Sequence, residues 1–268
     1  MSQSLRIRSG GSGDPVLLLL HGIGAAGDVW RGFESLLPIN WPGRWVTPDL
    51  PGHGSSKPLT RYTFPAMAAA VATAVPPTSR LVVLGHSLGG VVALSLAGGS
   101  FGVHPAAVCG LGIKIHWTDE ELARATAMGT RPTPVFPSRA AAAERYLKVA
   151  GLVGLVTPGH VGDTAVRQTL EGFSHAFDPG AFAIGAFDMP GLIAAAEGTV
   201  VLAAGARDPM CGADQMRALV GAPVVLPDLG HNAHVENPAA LLPLLAALTR
   251  NSLRRADRWH PSSSSSNT

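Results

Sequence analysis

The chain has 268 residues, of which 46% are hydrophobic and 14% charged, and a formal net charge of +2. That balance excludes a disordered chain and gives enough length to bury a large core. Arg254, Arg255 and Arg258 against Asp257 account for both surplus charges, so the body is neutral by count; neither nucleic acid nor an anionic membrane is the expected partner, and a small-molecule substrate is.

In chain order, the opening segment Met1 to Gly13 lacks the basic-then-apolar pattern of a secretion signal, and no stretch of about 20 apolar residues occurs anywhere, so the expected location is cytoplasmic. The apolar run Val16 to Leu20 leads into His21-Gly22, and a second loop, Pro48 to Ser56, carries Asp49 and His53. The run Leu81 to Leu84 is followed by Gly85-His86-Ser87-Leu88-Gly89 and then by the apolar Gly90 to Leu94, which reads as strand, tight turn and helix. A further strand fits Ala106 to Ile115. From Trp117 to Asp188 the character changes to helical: Thr118 caps one helix, Ser138 a second through Ala140 to Ala150, a third fits Asp163 to Phe177, and Asp178 caps a fourth beginning at Pro179. Strands resume at Thr199 to Gly205 and Pro223 to Leu226, separated by a helix at Ala213 to Val220, and a final apolar helix precedes a Ser-rich tail at residues 251–268 that is expected to be flexible.

Chemistry concentrates at three strand ends. Glycines two residues either side of Ser87 are what a strained strand-to-helix turn needs if it is to lift a hydroxyl clear of the sheet. A hydroxyl is a weak nucleophile at neutral pH, so Ser87 requires a base and an acid further along the chain. The base candidate is His231, in the loop after Pro223 to Leu226, and the acid candidate is Asp208, just beyond Thr199 to Gly205. Both have rivals: Asp228 and His234 lie three residues either side of His231, and Asp214 follows Asp208, although the expected helix already contains it. Cys109 and Cys211 are too far apart in sequence to form a chelating pair and read as reduced and structural. The ten histidines include no H-E-x-x-H, so neither a metal nor a cofactor is expected.

Five motifs in order carry a family resemblance: His21-Gly22, Pro48 to Ser56, Gly-His-Ser-Leu-Gly, Gly-Ala-Arg-Asp-Pro and Gly-His-x-x-His-x-Glu-x-Pro. On these residues the chain resembles an α/β-hydrolase of the single-domain serine esterase type, over most of residues 16–249. The resemblance implies a mostly parallel sheet with helices on both faces, a core made of residues 1–116 and 189–250, and a helical cap at 117–188. It favours His231 as base and places the oxyanion-binding amides at Ile23 and Leu88. His21, Asp49, His53, His86 and Glu236 read as structural or loop-ordering residues.

The expected chemistry is hydrolysis of neutral esters through an acyl-enzyme on Ser87. The phenylalanines of the cap supply an apolar pocket, and the only cations in view are Arg207 and cap arginines such as Arg124, Arg139 and Arg145. The same resemblance leaves open C–C bond hydrolysis of ring-cleavage diketones, lactone hydrolysis, perhydrolysis and a non-catalytic small-molecule receptor. Relatives of the C–C type carry Asn where His86 stands, and dehalogenases and epoxide hydrolases need Asp at position 87.

Overall fold

Leu17, Leu19, Val82 and Leu84 bury themselves on one face of a central sheet, while Leu18, Leu20 and Val83 do so on the other. Strands covered on both faces read as continuous apolar runs, which is why Val16 to Leu20 and Leu81 to Leu84 show no polar alternation. The computed structural model describes residues 5–78 and 80–259. Its main sheet comprises β1 (Ile7–Gly10), β2 (Val16–Leu20), β3 (Arg44–Pro48), β4 (Leu81–His86) and β5 (Pro105–Leu111). It is completed by two strands late in the chain, β9 (Thr199–Gly205) and β10 (Val224–Leu226), in the order β1-β3-β2-β4-β5-β9-β10. Only β1 runs antiparallel to its neighbour.

The helices of the core are α1 (Arg31–Glu34), α2 (Leu37–Asn40), α3 (Phe64–Ala72), α4 (Leu88–Ala97), α7 (Met189–Ala195), α8 (Ala213–Val220), α9 (Ala233–Glu236) and α10 (Leu242–Trp259). Met67, Val92 and Met216 of α3, α4 and α8 cover one face, and Trp30, Phe33 and Leu245 cover the other. Helix α4 is apolar all round because it is buried all round. No helix among the described residues is long and apolar enough to cross a membrane. Backbone helix continues to Trp259, into the segment expected as a flexible tail, and residues 260–268 lie outside the described residues.

The chain leaves β2 toward β3 on one side and returns to β4 on the other, so the loops after β2 and β4 diverge at the carboxyl edge of the sheet. Open α/β sheets form their binding crevice at such a switch point. Here it brings Ile23 and Ser87 to one cavity.

Between β5 and α7 the structure corrects the helical reading. Helices α5 (Asp119–Gly129) and α6 (Arg139–Val149) form where Thr118 and Ser138 cap them. Asp163 to Phe177, expected as a helix, instead contains a hairpin of β7 (Val166–Thr169) and β8 (Gly172–His175), which pairs with β6 (Val135–Phe136) in a three-stranded antiparallel sheet. Val166 and Thr169 are β-branched, and Gly172, at φ 145°, makes the tight return. Pro179 to Ile184 is a 3₁₀ segment stopped by Gly185 at φ 91°. The expected strand over Ala106 to Ile115 likewise ends at Leu111, because Gly112 turns the chain at φ 63°.

This mixed cap is tied to the loops at the carboxyl edge of the sheet by backbone and side chain. The Gly54 amide donates to Ala176 O and the Asp178 amide to Gly52 O, both at 2.7 Å. Tyr62 donates its hydroxyl to Asp178 at 2.7 Å, and Asn232 donates to Gly151 O at 2.9 Å.

Candidate active site

Ser87 has φ 50° and ψ −115°, a conformation that costs a residue with a side chain about 1 to 3 kcal/mol. The flanking residues must be glycine for the chain to take it. A Cβ on Gly85 would stand 2.2 Å from Gly89 O, and one on Gly89 would stand 2.5 Å from His21 O. The Ser87 amide is held by Leu111 O at 2.8 Å, and the Ser87 carbonyl accepts from the Gly90 amide at 2.9 Å. Among the described residues Ser87 Oγ makes no hydrogen bond, so the hydroxyl is open to the cavity in front of it.

His231 donates from Nδ1 to Asp208 Oδ2 at 3.0 Å, and the other Asp208 oxygen accepts from the Met210 amide at 2.8 Å. The Asp208 side chain is fully shielded from solvent whereas that of His231 is 19% exposed. The bond fixes the imidazole tautomer and leaves Nε2 with its lone pair. Gly112 lies directly behind the pair: a Cβ there would be 3.2 Å from Asp208 Oδ2 and 3.4 Å from His231 Nδ1. The loop is set from both ends, because the Gly230 amide donates to Glu236 at 2.7 Å and His86 Nε2 donates to the His231 carbonyl at 3.0 Å. That last bond links the residue before Ser87 to His231.

The rivals point elsewhere. Asp228 pairs with Arg207 at the surface and Asp214 with Arg217. His234 is buried between Trp30, at 4.5 Å between ring centroids, and His86, at 4.4 Å. Burial, and then the nearby His231 and His21, push its pKa down to about 3. His86 is likewise held neutral, first by burial and then by His234 and His231.

Leu88 opens α4, so its amide has no intrahelical acceptor and sits at the positive end of the helix dipole. The Ile23 amide finds no acceptor among the described residues. Its loop is braced by two histidines. His21 donates from Nδ1 to Gly22 O at 2.8 Å and accepts from the Leu50 amide at 2.9 Å. His175, from the cap, donates from Nε2 to Gly24 O at 2.8 Å. Asp49 orders the adjoining turn by accepting from the Gly27 and Ser55 amides, and His53 donates to Pro51 O at 2.9 Å.

Ser87 and Leu88 open onto a cavity of about 260 Å³ whose wall includes Phe64, Val91, Phe182, Ile184 and Phe187. Of the cap rings, Phe182 and Phe187 therefore reach it, whereas Phe136 and Phe177 line a neighbouring cleft and Phe173 packs inside the cap. The sequence reading missed His175, Asn232 and Lys114. The first two act across long loops and left no local signal. Lys114 stands three residues beyond the carboxyl end of β5, a placement that could have marked it, and it lines the Ser87 cavity. The arginines named from sequence do not: Arg124 pairs with Glu120, Arg139 with Asp163, and Arg145 lines the neighbouring cleft. Cys109 and Cys211 are both free and buried. Burial, reinforced by Asp208, pushes the Cys211 thiol up to about 12.

A family model described as the alpha/beta hydrolase family matches residues 17–244, most of the chain and every residue of the site just described. The chain belongs to that family. Among curated proteins, this chain is 36% identical over 152 residues to a pimeloyl-[acyl-carrier protein] methyl ester esterase of Aromatoleum aromaticum, covering 56% of this chain and 50% of that one. It is 39% identical over 99 residues to the magnesium-chelatase 30 kDa subunit of Rhodobacter capsulatus, covering 34% of this chain and 33% of that one. The chain thus spans half or less of the length of these relatives. Among solved structures, E-2-(acetamidomethylene)succinate hydrolase superposes with a TM-score of 0.75 at 19% identity, over 92% of this chain and 95% of that one. An esterase from Thermogutta terrifontis superposes with a TM-score of 0.69 at 22% identity, over 92% and 93%. At these identities the likeness is one of fold.

Proposed function

We propose that the chain is a serine carboxylesterase acting on neutral esters with small to medium, largely apolar acyl groups. The observation that carries this reading is the Asp208–His231 hydrogen bond, joined through His86 to a strained, open Ser87 at the mouth of an apolar cavity. The esterase among the curated relatives supports it.

In the first half-reaction Ser87 Oγ bonds to the ester carbonyl carbon and its proton passes to His231 Nε2. The carbonyl oxygen takes up the electron pair and is held by the Ile23 and Leu88 amides, while Asp208 stabilises the imidazolium. Collapse breaks the bond to the leaving alkoxide, which receives the proton from His231. Water, deprotonated by the same nitrogen, then attacks the acyl carbon and releases the acid and the serine.

The test is Ser87→Ala assayed on aryl esters of graded acyl length. The variant should fold normally and lose a factor on the order of 10⁴ in kcat, because triad members act as a unit. Turnover near the wild-type rate would remove Ser87 from the mechanism.

A further inference from the structure

Among the described residues, Lys114 is the one charged side chain that lines the Ser87 cavity. Its ammonium is occupied on two sides: Nζ lies 4.7 Å from the centroid of the Trp117 ring, and it pairs with Glu121 Oε1. Glu121 is itself tethered. As the third residue of α5 it closes a capping box, its Oε2 accepting from the Thr118 amide at 3.0 Å while its own amide donates to Thr118 Oγ1 at 3.2 Å. One carboxylate therefore caps a helix with one oxygen and neutralises Lys114 with the other.

A substrate whose acyl chain ends in a carboxylate could reach Lys114 only by displacing an intramolecular partner that α5 holds in place, or by sitting as a second anion beside Glu121. Both routes are unfavourable, because displacement competes against a preorganised group and the alternative brings like charges together. A neutral chain meets neither obstacle. We propose that Glu121 is a specificity-determining residue: it fills the anion position beside Lys114, reserves the cavity for neutral acyl chains, and masks a latent carboxylate subsite. The inference rests on the esterase reading for its substrate class.

Glu121→Gln separates the two roles of the side chain. A glutamine carbonyl oxygen still accepts from the Thr118 amide, so the cap of α5 is kept, but the charge on Lys114 is released. The readout is the ratio of kcat/KM for mono-4-nitrophenyl glutarate to that for 4-nitrophenyl pentanoate, acyl groups of matched reach that end in a carboxylate and a methyl respectively. The variant should raise this ratio by about threefold to fivefold, the upper end for a charge pair whose side chains are 21% and 31% exposed. Lys114→Met added to Glu121→Gln should abolish the gain.

The same comparison is made without turnover by measuring the binding of monomethyl glutarate and methyl pentanoate to Ser87→Ala, with and without Glu121→Gln, by ligand-observed NMR. Glutarate preference appearing with Glu121→Gln in both experiments supports the proposal. A change below about twofold in both, or a gain that survives in the double variant, overturns it. Failure of the esterase reading is a separate result, namely turnover that persists in Ser87→Ala.

Discussion

Lowering the pH from 7 to 5 should destabilise the folded chain by several kcal/mol through histidines that burial keeps neutral. Burial is the largest cause in each case: it holds His21 at about 4 and His53, His175 and His234 at about 3, against an ordinary value of 6.5. The unfolded chain takes up a proton at each of these sites near pH 6.5, whereas the folded chain does not until about pH 3 to 4. Their contribution is therefore complete above pH 6.5 and is lost progressively as pH falls toward the folded values. At pH 5 each group gives up about 2 kcal/mol, so the four together give up about 8 kcal/mol. His86 is depressed in the same direction and adds to the loss. A typical domain has only about 5 to 15 kcal/mol in total, so unfolding should begin near the lower end of this window. Urea unfolding at fixed temperature from pH 7 to 5 reads the effect, since the slope of stability against pH counts the protons taken up on unfolding. His234 offers the control. Both of its ring nitrogens lack a partner among the described residues, and it packs against Trp30, so His234→Phe should lower the slope by about one proton and raise stability at pH 5. Stability that stays flat from pH 7 to 5, or a slope unchanged in His234→Phe, would refute the reasoning.

Gly112→Ala should lower kcat by about tenfold and reduce thermal stability, because φ 63° is strained for alanine and the new methyl would press on both Asp208 Oδ2 and His231 Nδ1. Unchanged kcat at the same Tm would show that the pair tolerates the shift. His175→Leu leaves the Gly24 carbonyl without its donor and should lower kcat by about tenfold to a hundredfold with little change in KM. His175→Gln, which can present an N–H near the Nε2 position, should recover most of the loss. Equal kcat values for the two variants would separate His175 from the proposed oxyanion role of the Ile23 loop.

The elements that position the site were legible because their causes are local. Val16 to Leu20 and Leu81 to Leu84 are uniformly apolar, and Gly85 and Gly89 leave a serine as the only side chain at the apex of the turn between them. Thr118 and Ser138 cap the helices they were expected to cap. Asp208 and His231 each follow a strand, and strand ends collect at one edge of a parallel sheet wherever the strands lie in it. The family pattern carried the rest of the expected site, since the choice of His231 over His234 could not be made from spacing alone.

Tertiary structure decided what depends on partners distant in sequence. The hairpin at Val166 to His175 won over a helix because β6 was there to pair with it, and two short strands of mixed polarity give too little periodicity to announce themselves. His175 became a brace of the Ile23 loop only when that hairpin carried it to Gly24, 151 residues away in the chain. Lys114 acquired a neutralising partner through a helix cap, which turned a lone cation into part of a neutral wall. The order of apolar runs and turns in this chain thus determined the sheet, the turn at Ser87 and the edge where they meet. Pairing across the fold decided the cap, the bracing of the site and the charge of its pocket, because hydrogen bonds and ion pairs between distant segments exist only after the core has brought them within about 3 Å.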